Sequence, residues 1–192
     1  FGYDESEIEN EDIFLVYNEL LMRLVQPAKR KIIKSNEFYC PPELQDGLNL
    51  LVEKIQSGQS INQHLSRKIL SANKADMMLF DWGIHHFHLG TEIDSGKGLI
   101  KGTKYVVFAI VQKESVYLIQ IYDHDHWADK DVLEIVEKNW PSLLEKFKTE
   151  GTPRCSLNNN NIKQLRTIKR LKTCGINPVV TLSSGNAYTS IG

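Results

Sequence analysis

The sequence is poor in cysteine and in net charge, and both absences restrict its class. It has three cysteines among 192 residues, Cys40, Cys155 and Cys174, and no CxxC pair. An odd number of widely spaced cysteines forms neither a disulfide framework nor a thiolate zinc site, so we expect a reducing, cytoplasmic compartment. Because the net charge is −1 at pH 7, any attraction to nucleic acid must be local.

Long apolar runs and common nucleotide-binding motifs are also missing. No stretch reaches the roughly 18 consecutive apolar residues of a membrane span, so we expect no membrane partner. The motifs GxxxxGKS/T, GxGxxG, GxSxG and HExxH do not occur. Nucleoside-triphosphate, dinucleotide, serine-hydrolase and zinc-protease functions are therefore without support.

The hydrophobic pattern predicts an α+β fold, with helices first and an antiparallel sheet after them. The predicted helices cover 13–24, 42–55, 60–70, 129–139 and 158–174, and the predicted strands cover 77–89, 105–111, 116–123, 179–182 and 187–191. The turn at 113–115 is short, so the strands beside it are predicted to form an antiparallel hairpin. Residues 29–34 indicate an exposed connector or a short strand. The predicted division is a helical segment over 1–75 and a sheet domain over 76–192, with one domain over 1–192 as the alternative.

Histidines are concentrated in two short windows. The windows hold His85, His86, His88, His124 and His126, five of the six histidines. Successive side chains of a strand point to opposite faces, so His86 and His88 share one face of the strand 77–89.

The same alternation applies to the strand 116–123. It puts Tyr122 and His124 on one face, and Ile119 and Ile121 on the other. If the two strands are neighbours or next neighbours, Tyr122 and His124 join the pair His86 and His88 in one cluster. A cluster of this kind is the candidate site.

Three uses of the cluster remain open. Imidazole titrates near neutral pH, so facing histidines serve as general base and general acid without a cofactor. Alternatively, His86, His88, Glu92 and His124 bind a divalent metal ion, since neutral imidazole is a common ligand. The third interpretation is structural packing, which is also the interpretation favoured for His64 on its predicted helix.

A second candidate site is a basic helix near the C-terminus. Its candidate nucleic-acid-binding residues are Lys163, Arg166, Lys169 and Arg170. Arg166 and Arg170 lie on one helix face, because residues four apart are neighbours there. Such a face contacts RNA phosphates or is an ordinary solvated surface.

Residues 77–127 resemble the sheet of the RelE/ParE superfamily of toxin–antitoxin ribonucleases. The resemblance is carried by two apolar strands, YVVFAIV and VYLIQIYD, joined by KES, and by the histidine-containing tail after them. It implies metal-independent RNA cleavage on an exposed sheet face, with RNA as substrate and an antitoxin protein as partner. The matching catalytic positions are His86, His88, Tyr122 and His124.

Two further resemblances concern the same histidines. The spacing of His86, His88 and Glu92 is similar to the first cupin motif, HxHxxxE, which implies a metal-dependent enzyme. The chain as a whole resembles bacterial proteins with a DWGIHHxHLG segment, which implies no particular activity. The leading hypothesis is a small RNA-acting enzyme; the alternatives are a metal-dependent histidine-site enzyme and a non-enzymatic protein- or nucleic-acid-binding protein.

If the basic helix contacts RNA, replacing Arg166 and Arg170 with glutamate will weaken binding and flatten its salt dependence, because fewer counterions are released. Folding will hardly change, since exposed charges contribute little to stability. RNA affinity measured across a salt series, together with thermal unfolding, checks both expectations. Tight RNA binding by the double variant contradicts them, as does a wild-type protein without RNA affinity at low salt.

Overall fold

A mixed sheet lies at the centre of the fold in the computed structural model, which describes residues 13–71, 76–123, 130–149 and 179–189. The α-helices are α1 (Ile13–Arg23), α2 (Gln45–Ser57), α3 (Met77–Trp82) and α4 (Lys130–Asn139). The strands are β1 (Lys31–Lys34), β2 (Ile84–His88), β3 (Ile93–Asp94), β4 (Leu99–Ile100), β5 (Tyr105–Val111), β6 (Ser115–Asp123), β7 (Val179–Thr181) and β8 (Ala187–Thr189). The predicted α+β class is therefore confirmed. Among these described helices, none is long and apolar enough to cross a membrane.

The central sheet has the strand order β1-β6-β5-β2. β5 and β6 pair antiparallel across their short turn, so the predicted hairpin is confirmed. β2 pairs antiparallel with β5, while β1 pairs parallel with β6. The basic segment 29–34 thus supplies an edge strand, and the N-terminal third of the chain contributes to the same sheet as the histidines.

A bulge in β6 changes the predicted sorting of side chains. The register shifts between Phe108, which pairs with Gln120, and Ala109, which pairs with Leu118. An extra residue of this kind puts neighbouring side chains on one face and increases the local twist. Ile119 consequently packs with Phe108, whereas Ile121 packs with the opposite cluster. The prediction that Ile119 and Ile121 share a face was wrong.

Both faces of the sheet are covered by apolar side chains. On one face, Leu51 and Ile55 of α2 pack against the cluster that contains Phe87. On the other face, Val132 and Val136 of α4 pack in the cluster that contains Phe108 and Tyr188. Burial of each such side chain contributes about 1.5–3 kcal/mol. The exposed sheet face that the RelE/ParE resemblance implies does not exist in the described residues.

Residues 77–82 form a helix where the apolar pattern had predicted a strand. Asp76 caps α3, because its Oδ1 accepts the backbone N–H of Leu79 at 3.4 Å. Gly83 ends the helix in the left-handed conformation, with φ of 69°, which glycine adopts at little cost. The short helix therefore turns the chain directly into β2.

The helix predicted over 60–70 is also absent. Two 3₁₀ turns, Asn62–His64 and Arg67–Leu70, replace it. Leu65 between them is extended, with ψ of 158°. The side chain of Ser66 caps the second turn by accepting the N–H of Lys68. These turns give the segment the irregular path that covers the edge of β2.

The β7–β8 hairpin confirms the predicted C-terminal hairpin, and α4 holds it through two carboxylates. Glu137 accepts hydrogen bonds from Ser184, Asn186 and Tyr188 at 2.7–2.9 Å. Burial raises the pKa of Glu137, but these three donors outweigh it, so the pKa lies below its ordinary value. Glu134 accepts the backbone and hydroxyl hydrogens of Ser183 in the same way.

The segment that follows α4 in sequence also contacts this hairpin. The backbone N–H of Thr149 donates to the carbonyl of Ala187 at 3.0 Å. Lys148 forms an isolated antiparallel bridge with Tyr188. β8 is therefore bonded to residues on both sides of the stretch 150–178. The predicted helix over 158–174 lies outside the described residues.

We expect Gly47→Ala to destabilise the fold by about 1–3 kcal/mol, the usual cost of overpacking. A Cβ at Gly47 would lie 1.7 Å from the carbonyl oxygen of Leu89, and that backbone atom cannot rotate away. Helix propensity alone predicts the opposite effect, because alanine in a helix is about 1 kcal/mol more favourable than glycine. The measurement is denaturant unfolding.

Gly96→Ala is the matched control for this change. Its Cβ would make an ordinary contact of 3.5 Å with the side chain of Asp94, so stability should change by no more than about 0.5 kcal/mol. Equal stability of the Gly47 variant and the wild type would show that the contact with Leu89 relaxes freely.

Candidate functional site

His86 and His88 lie together on β2, which is at the edge of the sheet opposite β1. Their ring centroids are 6.5 Å apart, and both side chains are buried. His86 pairs in register with Phe108 of β5, and its ring lies 6.2 Å from that phenyl ring. Side-chain alternation places His85 on the opposite face, stacked parallel on Phe87 at 5.7 Å.

A half-buried carboxylate, that of Asp76, lies beside His86. Nδ1 of His86 is 3.1 Å from Oδ2 of Asp76, the residue that caps α3. Burial raises the pKa of Asp76, but His86, Lys68 and His85 attract its negative charge and bring the pKa below its ordinary value. Asp76 thus stays ionised and can orient the imidazole and stabilise its protonated form.

The tautomer of His88 is set by a backbone donor. The N–H of Thr103 points at Nδ1 of His88 at 3.0 Å. Since a backbone N–H can only donate, Nδ1 accepts, and the proton of the neutral ring lies on Nε2. The hydroxyl of Thr103 accepts the N–H of Leu89 at 3.2 Å and donates to the carbonyl of Tyr105.

Two residues fix the backbone at the end of β2. Nδ1 of His64 lies 2.8 Å from the carbonyl oxygen of His88, so it donates its proton to that oxygen. His64 is fully buried, and burial lowers its pKa, so the ring remains neutral. Gly47 packs directly against the carbonyl of Leu89, next in the chain. His64 therefore has the structural role that the sequence predicted.

Arg23 lines the same cleft as His86. It is 4% exposed and donates to the carbonyls of Lys68 and Ser71. Its guanidinium also lies over the ring of Phe80 at 5.5 Å. The last turn of α1 is in this way attached to the segment that covers β2. The cleft is narrow and partly open to solvent.

The cluster of four predicted residues is only partly assembled in the described chain. Tyr122 lies on the same sheet face as His88, because both pair in register with Val106. Two strand spacings separate them, about 10 Å, and Val106 and Phe108 fill the gap. His124 lies outside the described residues, as do the basic positions Lys163, Arg166, Lys169 and Arg170.

Glu92, the carboxylate of the metal alternative, is turned to another partner. It is exposed and forms an ion pair with Lys101 at 2.5 Å. Within the described ranges, no group of three or more histidine, cysteine, aspartate or glutamate side chains is arranged to hold a metal ion. In these residues the geometry brings His86 to Asp76 instead.

Sequence reasoning missed Asp76, Arg23 and Thr103. A signal for Asp76 exists, since an aspartate directly before an apolar segment is typical of a helix N-cap. It is informative only if 77–82 is interpreted as a helix. Arg23 and Thr103 are distant from the histidines in the chain, and no spacing rule joins them. Comparison with protein-family models, curated proteins and solved structures gives no match for this chain.

We expect His85 to make the fold sensitive to mild acid. Burial lowers its pKa to about 4 from the ordinary 6.5; the charge of Asp76 opposes this, and His86 adds to it. A folded-state pKa below the unfolded one means that the unfolded chain binds the proton first. Stability should therefore fall as the pH drops from about 6.5 to about 4, by roughly 3 kcal/mol at 1.36 kcal/mol per unit.

His85→Phe should remove this part of the pH dependence, because phenylalanine does not titrate. Denaturant unfolding of both proteins between about pH 7 and about pH 4.5 measures the difference in slope. His64 titrates alike in both proteins and cancels. The stabilisation from Asp76 is lost only as the pH falls below its ordinary pKa of 3.8, outside the window. Equal slopes would contradict the assignment to His85.

Proposed function

We propose that this chain is a small RNA-acting enzyme, a toxin-like endoribonuclease that works without a metal ion. One observation carries the proposal: the His86 imidazole lies 3.1 Å from the half-buried Asp76 carboxylate, with the His88 ring 6.5 Å away. A histidine held beside a carboxylate can serve as a general base. RNA as the substrate is drawn only from the resemblance of residues 77–127 to the RelE/ParE sheet, since the exposed sheet face that this resemblance implies is covered here.

The reaction is a transesterification of the RNA backbone. The base removes the proton of a ribose 2′-hydroxyl, and the 2′-oxygen attacks the adjacent phosphorus. The bond from phosphorus to the 2′-oxygen forms, and the bond to the 5′-oxygen breaks. The leaving oxygen takes a proton from water, and the base returns its proton to solvent. The products end in a 2′,3′-cyclic phosphate and a 5′-hydroxyl.

His86 is the general base in this scheme, and Asp76 is its positioning residue. The carboxylate favours the imidazolium that forms when His86 accepts the proton. His88 keeps its proton on Nε2, because the N–H of Thr103 holds Nδ1 as an acceptor. It can therefore donate a hydrogen bond to the charged phosphoryl oxygen of the transition state.

We expect Asp76→Asn and His86→Gln each to lower RNA cleavage by about 100-fold or more, the range of general base catalysis. Asparagine is as good an N-cap as aspartate, so Asp76→Asn removes the charge and leaves α3 capped. Chelation of divalent ions should not reduce activity. The readout is the rate of appearance of RNA fragments with 2′,3′-cyclic ends.

Asp46→Asn is the control, because Asp46 is an exposed acidic residue in the first turn of α2 and does not line the cleft that contains His86. It should cleave like the wild type. Full activity in both site variants would overturn the role of Asp76 and His86. Activity that disappears with a chelator and returns with a divalent ion would instead favour the metal-dependent alternative.

A further inference from the structure

We infer that the cavity between α3 and the C-terminal end of β5 binds a small aromatic acid that carries a hydroxyl group on its ring. The cavity has a volume of about 210 Å³ and is partly open to solvent. The side chains in its lining that matter here are Leu79, Trp82, His85, Ile110, Leu143 and Lys146. The inference goes beyond the proposed function, because neither His86 nor Asp76 lines this cavity.

Much of the cavity wall is apolar and buried. Leu79 and Trp82 of α3 and Ile110 of β5 are each at most 6% exposed. The ring of Trp82 packs edge-to-face against Phe147 at 5.4 Å, which holds the indole in place. An apolar cavity of about 150 Å³ holds one benzene molecule. The larger volume of this cavity therefore suits one aromatic ring with polar substituents.

A buried imidazole adds a polar group to this apolar wall. His85 is 8% exposed, and its ring is stacked parallel on Phe87 at 5.7 Å, so its orientation is fixed. One ring nitrogen faces the backbone carbonyl of Met22, in the last turn of α1. The other nitrogen has no hydrogen-bond partner within the described chain. A ligand in the cavity can therefore reach a polar atom that the fold does not use.

The second nitrogen of His85 is an acceptor. Burial lowers the pKa of His85 to about 4, so the ring is neutral at pH 7. A neutral imidazole has one N–H group and one acceptor nitrogen, and the carbonyl of Met22 can only accept. The N–H therefore lies on the side of Met22. A buried acceptor without a partner is unfavourable, and the hydroxyl hydrogen of a ligand would satisfy it.

A cation determines the charge of the ligand. Lys146 is exposed, lines the cavity, and forms no ion pair within the described residues. Its ammonium lies 4.7 Å from the centre of the Phe147 ring, the same ring that packs on Trp82. The described lining includes no carboxylate, and Glu145, the neighbour of Lys146 in the chain, is not part of it. A ligand with a hydroxyl for His85 and a carboxylate for Lys146 matches both groups.

The test is titration of the wild-type protein with 4-hydroxybenzoate, followed by the NMR signals of the Trp82 indole and the His85 ring. We expect a saturable shift of both signals. Benzoate lacks the hydroxyl donor and phenol lacks the negative charge, so each should bind about fivefold more weakly, the effect of one lost hydrogen bond or ionic contact.

Two variants assign these differences to residues. His85→Phe keeps a ring but removes the acceptor, so it should weaken 4-hydroxybenzoate about fivefold and leave benzoate unchanged. Lys146→Met should weaken both acids and leave phenol unchanged. Lys148→Met is the matched control, because Lys148 is exposed and close in sequence but does not line the cavity; it should bind all three compounds like the wild type.

Each contrary outcome overturns a stated part of the inference, whether or not the protein cleaves RNA. Absence of a saturable shift overturns the site. Equal binding of the three compounds overturns the ligand class, since the cavity would then select for apolar volume alone. Undiminished binding of 4-hydroxybenzoate by His85→Phe overturns the role of His85. If thermal unfolding shows that this variant does not fold, the comparison of 4-hydroxybenzoate with benzoate on the wild type decides the same question.

Discussion

The position of both candidate histidines depends on how the backbone at the end of β2 is held. His64 donates to the carbonyl of His88, and the Thr103 hydroxyl accepts the N–H of Leu89. Gly47 lets α2 approach the carbonyl of Leu89 without a side chain between them. Among the described strands β2 lies at an edge of the sheet, with a neighbouring strand on only one side of its backbone. These contacts come from three distant parts of the chain. They hold the backbone of β2 in place, as a further neighbouring strand would.

Charge inside this region is compensated locally. Asp76 is negative although only 16% of its side chain is exposed, and the imidazole of His86 lies against it. Removing one partner of a buried pair is costly, because the other is left without compensation. Arg23 is similarly enclosed and uses its hydrogen bonds to backbone carbonyls of the covering segment. The polar groups around β2 therefore connect α1, α3 and the 3₁₀ turns, while apolar contacts hold the sheet faces.

Local patterns in the sequence predicted the elements that alternation or a short turn defines. The β5–β6 hairpin, α2, α4 and the C-terminal hairpin are of this kind. The pattern failed at 77–82, where a short apolar run is compatible with both strand and helix; the cap at Asp76 and the left-handed Gly83 decide for helix. It failed again at Ile119, because a bulge leaves no mark in the hydrophobic alternation.

The candidate site was predictable to the same extent. His86 and His88 are two residues apart in a strand, and strand geometry alone puts them on the same face. Their partners Asp76 and Thr103 come from other elements, and only the tertiary fold brings them into contact. Tyr122 is on the expected face but in the next-neighbour strand, where apolar side chains occupy the space between. Sequence alternation determines a face, and it does not determine whether that face is empty or filled.

The bonds of β8 to Val179–Thr181 on one side and to Lys148 and Thr149 on the other have a consequence for the order of folding events. β7 is joined to β8 by a short turn, whereas Lys148 and Thr149 are distant from β8 in sequence. Contacts between distant residues require loop closure and form more slowly than local ones. The β7–β8 hairpin can therefore close first, and its bonds to Lys148 and Thr149 belong to a later step of folding.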